Sequence, residues 1–319
     1  MNPSESATFD VQYQALRSGC GVVQLSNWSS VTLTGHDRQE FLHNFCTNDI
    51  KRLTPGQSCE AFFTNVKGKI LGHGLVTCRK DELVVIGPPG QGERLAAHLD
   101  RYVIREDVIV RDTTAERSYI LLCGGEEAHQ LAASLGVLND GAKLGGRSVH
   151  WVQWNVLDSD FCGLLGVTGD ASPVRQIWIE RGAVPCDEPT FHTRRIEAGT
   201  PLFGVDFNDD NLPQEVGRNE KAISFTKGCY LGQETVARID ALGHVNQQLV
   251  GVRFSGAKPP DIGAALRSAG KTVGHVTSAT FSPQLQAPLA LAMVRRPYND
   301  VGSRMDSPLG PCEVVSLPV

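Results

Sequence analysis

The segment Lys227-Gly228-Cys229-Tyr230-Leu231-Gly232-Gln233-Glu234 sets one thiol among glycines, just upstream of a run with helical spacing. Leu231, Thr235, Ile239 and Leu242 predict a helix over residues 231–242. A cysteine at the entrance of such a helix lies near unpaired backbone N–H groups and the positive end of the helix dipole, and both favour thiolate over thiol. Lys227 is expected to add a cation beside the sulfur, while Gly228 and Gly232 allow close backbone approach on either side. The local chemistry therefore permits a reactive thiol at Cys229. Against it stands the usual fate of a free cysteine, which is burial as a small apolar group.

The elements that must position this segment are read from periodicity. Alternating runs at residues 21–26 and 30–34 predict strands, followed by a helix that places Phe41, Leu42 and Phe45 on one face. Residues 59–66 and 70–78 predict a hairpin turning through Lys67-Gly68-Lys69, with a further strand at 83–86. The glycines of residues 87–92 match neither a dinucleotide fingerprint nor a P-loop, so they read as a plain turn into the helix of Leu95 and Leu99. Strands at 119–123, 149–155 and 161–167 are interspersed with helices without strict alternation, which argues α+β rather than a doubly wound sheet. From residue 245 onward short strands are punctuated by Pro259-Pro260, Ala269-Gly270 and Tyr298-Asn299-Asp300, the pattern of a small antiparallel β-barrel. The expected division is a first α+β unit from residues 1–50 and 115–225, a second from 51–114, a linker helix with the cysteine motif at 226–244, and the barrel at 245–319.

Composition narrows the function classes. At 319 residues the chain is long enough for two or three units. A net charge of -5 with no basic run disfavours direct nucleic-acid binding. No stretch approaches the roughly 20 apolar residues of a membrane span, and residues 1–20 lack a basic start followed by an apolar run, so a cytoplasmic protein without membrane contact is expected. Nine cysteines, an odd number spread from Cys20 to Cys312, are expected to be mostly reduced thiols. No local spacing of Cys or His writes a metal site.

The octapeptide, together with Val236-Ala237-Arg238, resembles the signature of the YgfZ family, relatives of the glycine-cleavage T-protein. The likeness extends to Asn27-Trp28, Leu33-Thr34-Gly35-His36-Asp37, Phe41-Leu42, Thr47-Asn48-Asp49, residues 65–69, residues 195–201 and Pro213-Gln214-Glu215, and so spans nearly the whole chain. It implies three units around a central hole that binds tetrahydrofolate or a one-carbon derivative, with the barrel last. It also implies that Trp28 packs against the folate, that Glu197 holds the pterin, and that Arg238 counters the glutamate tail. An indole supplies a flat apolar face and a carboxylate accepts paired N–H bonds, so the first two roles are chemically apt. Without the resemblance, Trp28 reads as a core aromatic and Glu197 as a solvated residue or a partner of Arg194 or Arg195. The implied partners are iron–sulfur enzymes or their assembly proteins, including enzymes that modify tRNA, with Cys229 as a redox or transfer thiol. The alternative is a folate-dependent aminomethyltransferase, and a third reading is a folate-free docking protein. One departure bears on the choice: Arg94 stands where T-proteins place a catalytic aspartate, beside Glu93, and a guanidinium cannot act as a base near neutral pH.

Overall fold

The structure, a computed structural model, describes residues 8–139 and 141–319. Two sheets and a closed barrel account for the strands. The first sheet runs in the order Val184–Cys186, Cys20–Leu25, Arg117–Gly124, Phe161–Thr168, Arg147–Gln153, Lys143–Leu144. Its central strands are apolar on both faces because each face is covered. Val22, Ile120, Leu122 and Leu165 point toward the helices Glu126–Ser134 and Ser172–Glu180, with Trp178 fully buried among them. Val23, Leu121 and Leu164 point the other way, into the core that holds Trp28, Trp154 and Phe191.

The second sheet is antiparallel, in the order Ser58–Thr64, Ile70–Cys78, Glu82–Gly87, Ser29–Thr34, Ile109–Asp112. The helices Arg38–His43 and Gly92–Asp100 cover it through Phe41, Leu42, Leu95 and Leu99. Ser29–Thr34 thus lies in the second sheet and Arg38–His43 packs on it, although residues 1–50 are placed with the first unit on sequence grounds. The chain passes between sheets within Ser26-Asn27-Trp28, where Asn27 takes φ 56, a left-handed turn that Asn tolerates better than most side chains. Nothing in the hydrophobic pattern marks this crossing.

The barrel closes in the order Gln247–Phe254, Ala287–Arg295, Lys271–Ser282, Ala265–Ser268, Arg304–Ser307, Gly310–Val315, around Val252, Phe254, Leu266, Val276 and Val294. Its first strand begins two residues after the expected boundary. The helix Glu188–Glu197 joins barrel to sheets: buried Arg195 pairs with Asp206 at 2.8 Å and donates to Ser278 Oγ at 2.7 Å. Most of the cysteines are reduced thiols, as expected, with one pair excepted. Cys123 and Cys162 lie opposite one another on neighbouring antiparallel strands and form a disulfide, while the other seven are free. Among the described residues no helix is long and apolar enough to cross a membrane.

Candidate functional site

The cysteine segment is a loop clamped from below. Thr47 Oγ1 donates to Ala222 O and accepts from Phe62 N, and Asn48 Nδ2 donates to both Glu60 O and Lys221 O, so the approach to the loop is stapled to the second sheet. Leu231 N donates to Asn44 O at 2.9 Å, and Thr64 Oγ1 donates to Leu231 O at 2.6 Å. Gly232 has φ 86, and a Cβ there would come within 2.5 Å of Asn65 O and 3.0 Å of Gly68 Cα, so this position admits only glycine without backbone movement. The turn Lys67-Gly68-Lys69 and the loop of Gly232, far apart in sequence, are therefore packed backbone to backbone.

Lys227 does not serve the sulfur in the way its spacing predicts. Its ammonium is buried and donates to the carbonyls of His43, Cys46 and Asn48, with the Tyr230 ring 4.8 Å away. Burial pushes the ammonium below its ordinary pKa, while nearby Cys46 and Asp49 oppose that shift. Lys227 is thus the peg that fixes the loop, and the buried Tyr230 ring closes over it. The helix also starts later than expected. It spans Gln233–Leu242 behind Gly232, with Val236 as its buried residue and Leu242 61% exposed. Cys229 lies four residues ahead of it and is exposed, with no hydrogen-bond partner among the described residues. His43 Nε2 lies 3.9 Å from where a Cβ on Gly228 would sit, and burial together with the Lys227 charge favours the neutral form of that ring. The geometry delivers an accessible thiol on a rigid loop. Glu234 and Arg238 are exposed on the helix, and Gln233 is partly buried at its first turn.

Trp28 belongs to a separate cavity of about 370 Å³, between the end of the strand Cys20–Leu25, Pro88-Pro89, the helix Glu188–Glu197 and residues 202–205. Its indole meets Trp154 and Phe191 edge to face, at 5.5 and 6.5 Å. Glu188 and His192, one turn apart on the helix Glu188–Glu197, line the same space. Arg195 Nε donates to His192 Nδ1 at 2.7 Å, so the neutral ring carries its proton on Nε2, 3.4 Å from Glu188 Oε1. Burial, then the Arg195 charge, lowers the His192 pKa and keeps that form at neutral pH. Such a space accepts a flat, largely apolar molecule that presents N–H donors to a carboxylate.

Glu197 is not part of that lining. Its carboxylate is 1% exposed and accepts from Tyr13 Oη at 2.8 Å, Arg194 Nη1 at 2.8 Å and Ser282 Oγ at 2.6 Å, which makes it a tie between the N-terminal helix, its own helix and the barrel. The pairing with Arg194 is the one a sequence reading without family knowledge allows. Burial and the hydrogen bond to Glu197 push the Tyr13 hydroxyl up to about 12, so it stays a donor at any ordinary pH. Neither Cys229 nor Arg238 lines the Trp28 cavity. Glu188, Phe191 and His192 were not singled out by sequence reasoning, although the i, i+4 spacing of Glu188 and His192 was visible.

Arg94 lies exposed on the helix Gly92–Asp100 and pairs with Asp209 at 2.9 Å. The neighbouring Glu93 is exposed. A carboxylate therefore does stand beside the position where the sequence lacks one, supplied by the loop after the helix Glu188–Glu197.

Comparison with known proteins agrees with this architecture. Residues 4–151 match the GCVT N-terminal domain and residues 247–319 match the glycine cleavage T-protein C-terminal barrel domain. An aminomethyltransferase from Synechococcus sp. (strain RCC307) is 28% identical over 311 residues, covering 92% of this chain and 84% of the relative. A chloroplastic protein of Arabidopsis thaliana, classed provisionally as a transferase, is 25% identical over 307 residues, covering 92% and 69%. The crystal structure of the glycine cleavage system aminomethyltransferase T from Bartonella henselae superposes with a TM-score of 0.86 over 97% of this chain and 89% of that one, at 18% identity, a likeness of fold. With both domain models in their places and an α+β body ending in a closed barrel, the chain belongs to the aminomethyltransferase-like family of the glycine cleavage T-protein.

Proposed function

We propose that this chain is a cytoplasmic, tetrahydrofolate-binding accessory protein of iron–sulfur enzymes, with Cys229 as its working thiol. The observation that carries this reading is the loop itself. Lys227, Tyr230 and Gly232 are committed to holding it rigid, and the residue they leave exposed is the cysteine. Conversely, the sequence likeness to T-proteins aligns Arg94 with their catalytic aspartate, and a guanidinium cannot act as a base near neutral pH. The sequence likeness to the YgfZ family supports the same reading.

The Trp28 cavity fits the pterin end of a reduced folate. Trp28 and Phe191 supply apolar ring faces and edges, and Glu188 accepts from the pterin amino and ring N–H groups. When bound, the folate supplies one-carbon chemistry. The residues of the cavity bind and orient it, and His192 holds its Nε2 proton toward Glu188. Glu197 braces the wall rather than touching the ligand.

Titration calorimetry with tetrahydrofolate tests the site. Trp28→Ala is expected to weaken binding by about ten- to a hundredfold, from the loss of a buried aromatic face. Glu188→Gln is expected to weaken it about tenfold. Cys229→Ser is expected to bind folate as the wild type does and yet fail to restore iron–sulfur enzyme activities in a strain lacking the protein. Full restoration by Cys229→Ser would remove the thiol from the mechanism.

A second reading, a folate-dependent aminomethyltransferase, is favoured by Asp209, whose carboxylate lies 2.9 Å from Arg94. Turnover of an aminomethylated carrier protein with tetrahydrofolate, abolished in Asp209→Asn, would establish it in place of the first.

A further inference from the structure

A second cavity, also of about 370 Å³, lies where the helix Gln233–Leu242 meets the barrel. It is lined by Gln214, Asn219 and Asn299, and at its rim by Asp240, Asp300 and Arg296. Gln214 Oε1, Asn219 Oδ1 and Asn299 Oδ1 are all buried without a hydrogen-bond partner. For Gln214, 6% exposed, the orientation is fixed. Its Nε2 donates to Val236 O at 2.7 Å, a carbonyl that can only accept, so the side-chain oxygen is the atom left over. A buried acceptor is costly to leave unpaired, so Gln214 Oε1 calls for a donor, and the amides of Asn219 and Asn299 can each turn an oxygen the same way.

The charge and size of the cavity narrow that ligand. Two carboxylates against one guanidinium leave an excess of negative charge. A bare metal ion sits within about 2.0–2.6 Å of its oxygen ligands, far too close for a space of this volume. Ile239 and Val245 add apolar wall. An ammonium group has three N–H donors, no acceptor and a positive charge, matching the Gln214 oxygen and two asparagine amides able to present theirs, beside an acidic rim. We infer that this cavity between the motif helix and the barrel is a binding site for a primary alkylammonium ion, such as the end of a lysine side chain or of a small amine.

The test uses the full chain and n-butylammonium as the probe, followed by saturation-transfer NMR, with n-butanol as the neutral analogue. The expected result is saturable binding of n-butylammonium, about tenfold tighter than n-butanol. Gln214→Leu and Asn219→Leu are each expected to weaken it about tenfold. Asn219, being only partly buried, gives the variant that keeps the fold should Gln214→Leu unfold the chain. Equal binding of amine and alcohol, or no saturable binding because water alone fills the cavity, would overturn the assignment. So would competitive displacement of n-butylammonium by calcium chloride, which would make this an inorganic-cation site.

Discussion

Replacing Glu60 with glutamine is expected to destabilise the second sheet by about 3–5 kcal/mol at pH 7 and to flatten the loss of stability in acid. Glu60 lies on the strand Ser58–Thr64, 7% exposed, and accepts from Arg218 through Nε at 2.8 Å and through Nη2, and from His73 Nε2 at 2.8 Å. Burial pushes its carboxyl upward, but the hydrogen bonds and charges of Arg218 and His73 outweigh that and hold it well below the carboxylate range. A depressed folded-state pKa contributes stability that is present above the unfolded value of about 4.3 and lost as pH falls through the folded one. Glutamine removes the charge, leaves buried Arg218 uncompensated and turns an amide toward it. Hydrogen exchange of the amides in Ser58–Thr64, followed between pH 7 and pH 3, measures both effects. A variant whose acid slope parallels that of the wild type would show that Glu60 does not carry this term.

The consequence reaches the cysteine loop. Arg218 begins the segment that leads into Lys227, and Glu60 O also accepts from Asn48, which holds Lys221. Loosening Glu60 therefore frees the approach to Cys229 without touching it.

How much of this was legible follows from the range of the interactions involved. The barrel could be read because turn residues and alternation are local signals, and its strands fall between the expected breaks. The assignment of Ser29–Thr34 could not, because it is decided by pairing with Glu82–Gly87 and Ile109–Asp112 rather than by its own pattern. The cysteine motif was visible as a motif, but the direction of Lys227 was not. Two residues' separation placed it beside Cys229 on paper, while three carbonyls from residues 43–48 draw it the other way. The disulfide follows the same logic, since residues 39 apart meet only once the strand register is known. Glu197 was legible as a residue of consequence, but its partners on other elements were not. Its helix is buried on several sides, so its carboxylate meets Tyr13 and Ser282 from two other elements before any ligand.

The junction of helix and barrel carries the other large effect. Asp206 is fully buried, and its carboxylate accepts from Arg195 Nη1 at 2.8 Å, Leu202 N at 2.9 Å and Thr277 Oγ1 at 2.9 Å, with Ser278 Oγ as a further donor. Burial lowers the Arg195 pKa, and Asp206 works against that shift. Asp206→Ala strands a guanidinium that is 2% exposed, so a loss of about 3–5 kcal/mol is expected, read as faster hydrogen exchange in the barrel strand Lys271–Ser282 and a lower urea midpoint. Removing both charges, in Arg195→Met with Asp206→Leu, is expected to recover at least about half of that loss, because the single variant is penalised mainly for the unpaired charge it leaves. The recovery should not extend to the cavity. Arg195 Nε is what fixes His192 on the rim of the Trp28 site, and neither methionine nor leucine can donate to it. The double variant is therefore expected to be stable and yet bind tetrahydrofolate about tenfold more weakly, the loss of one charge-assisted hydrogen bond upstream of Glu188. Equal affinity in the two proteins would mean that Arg195 holds the barrel alone and leaves His192 to position itself.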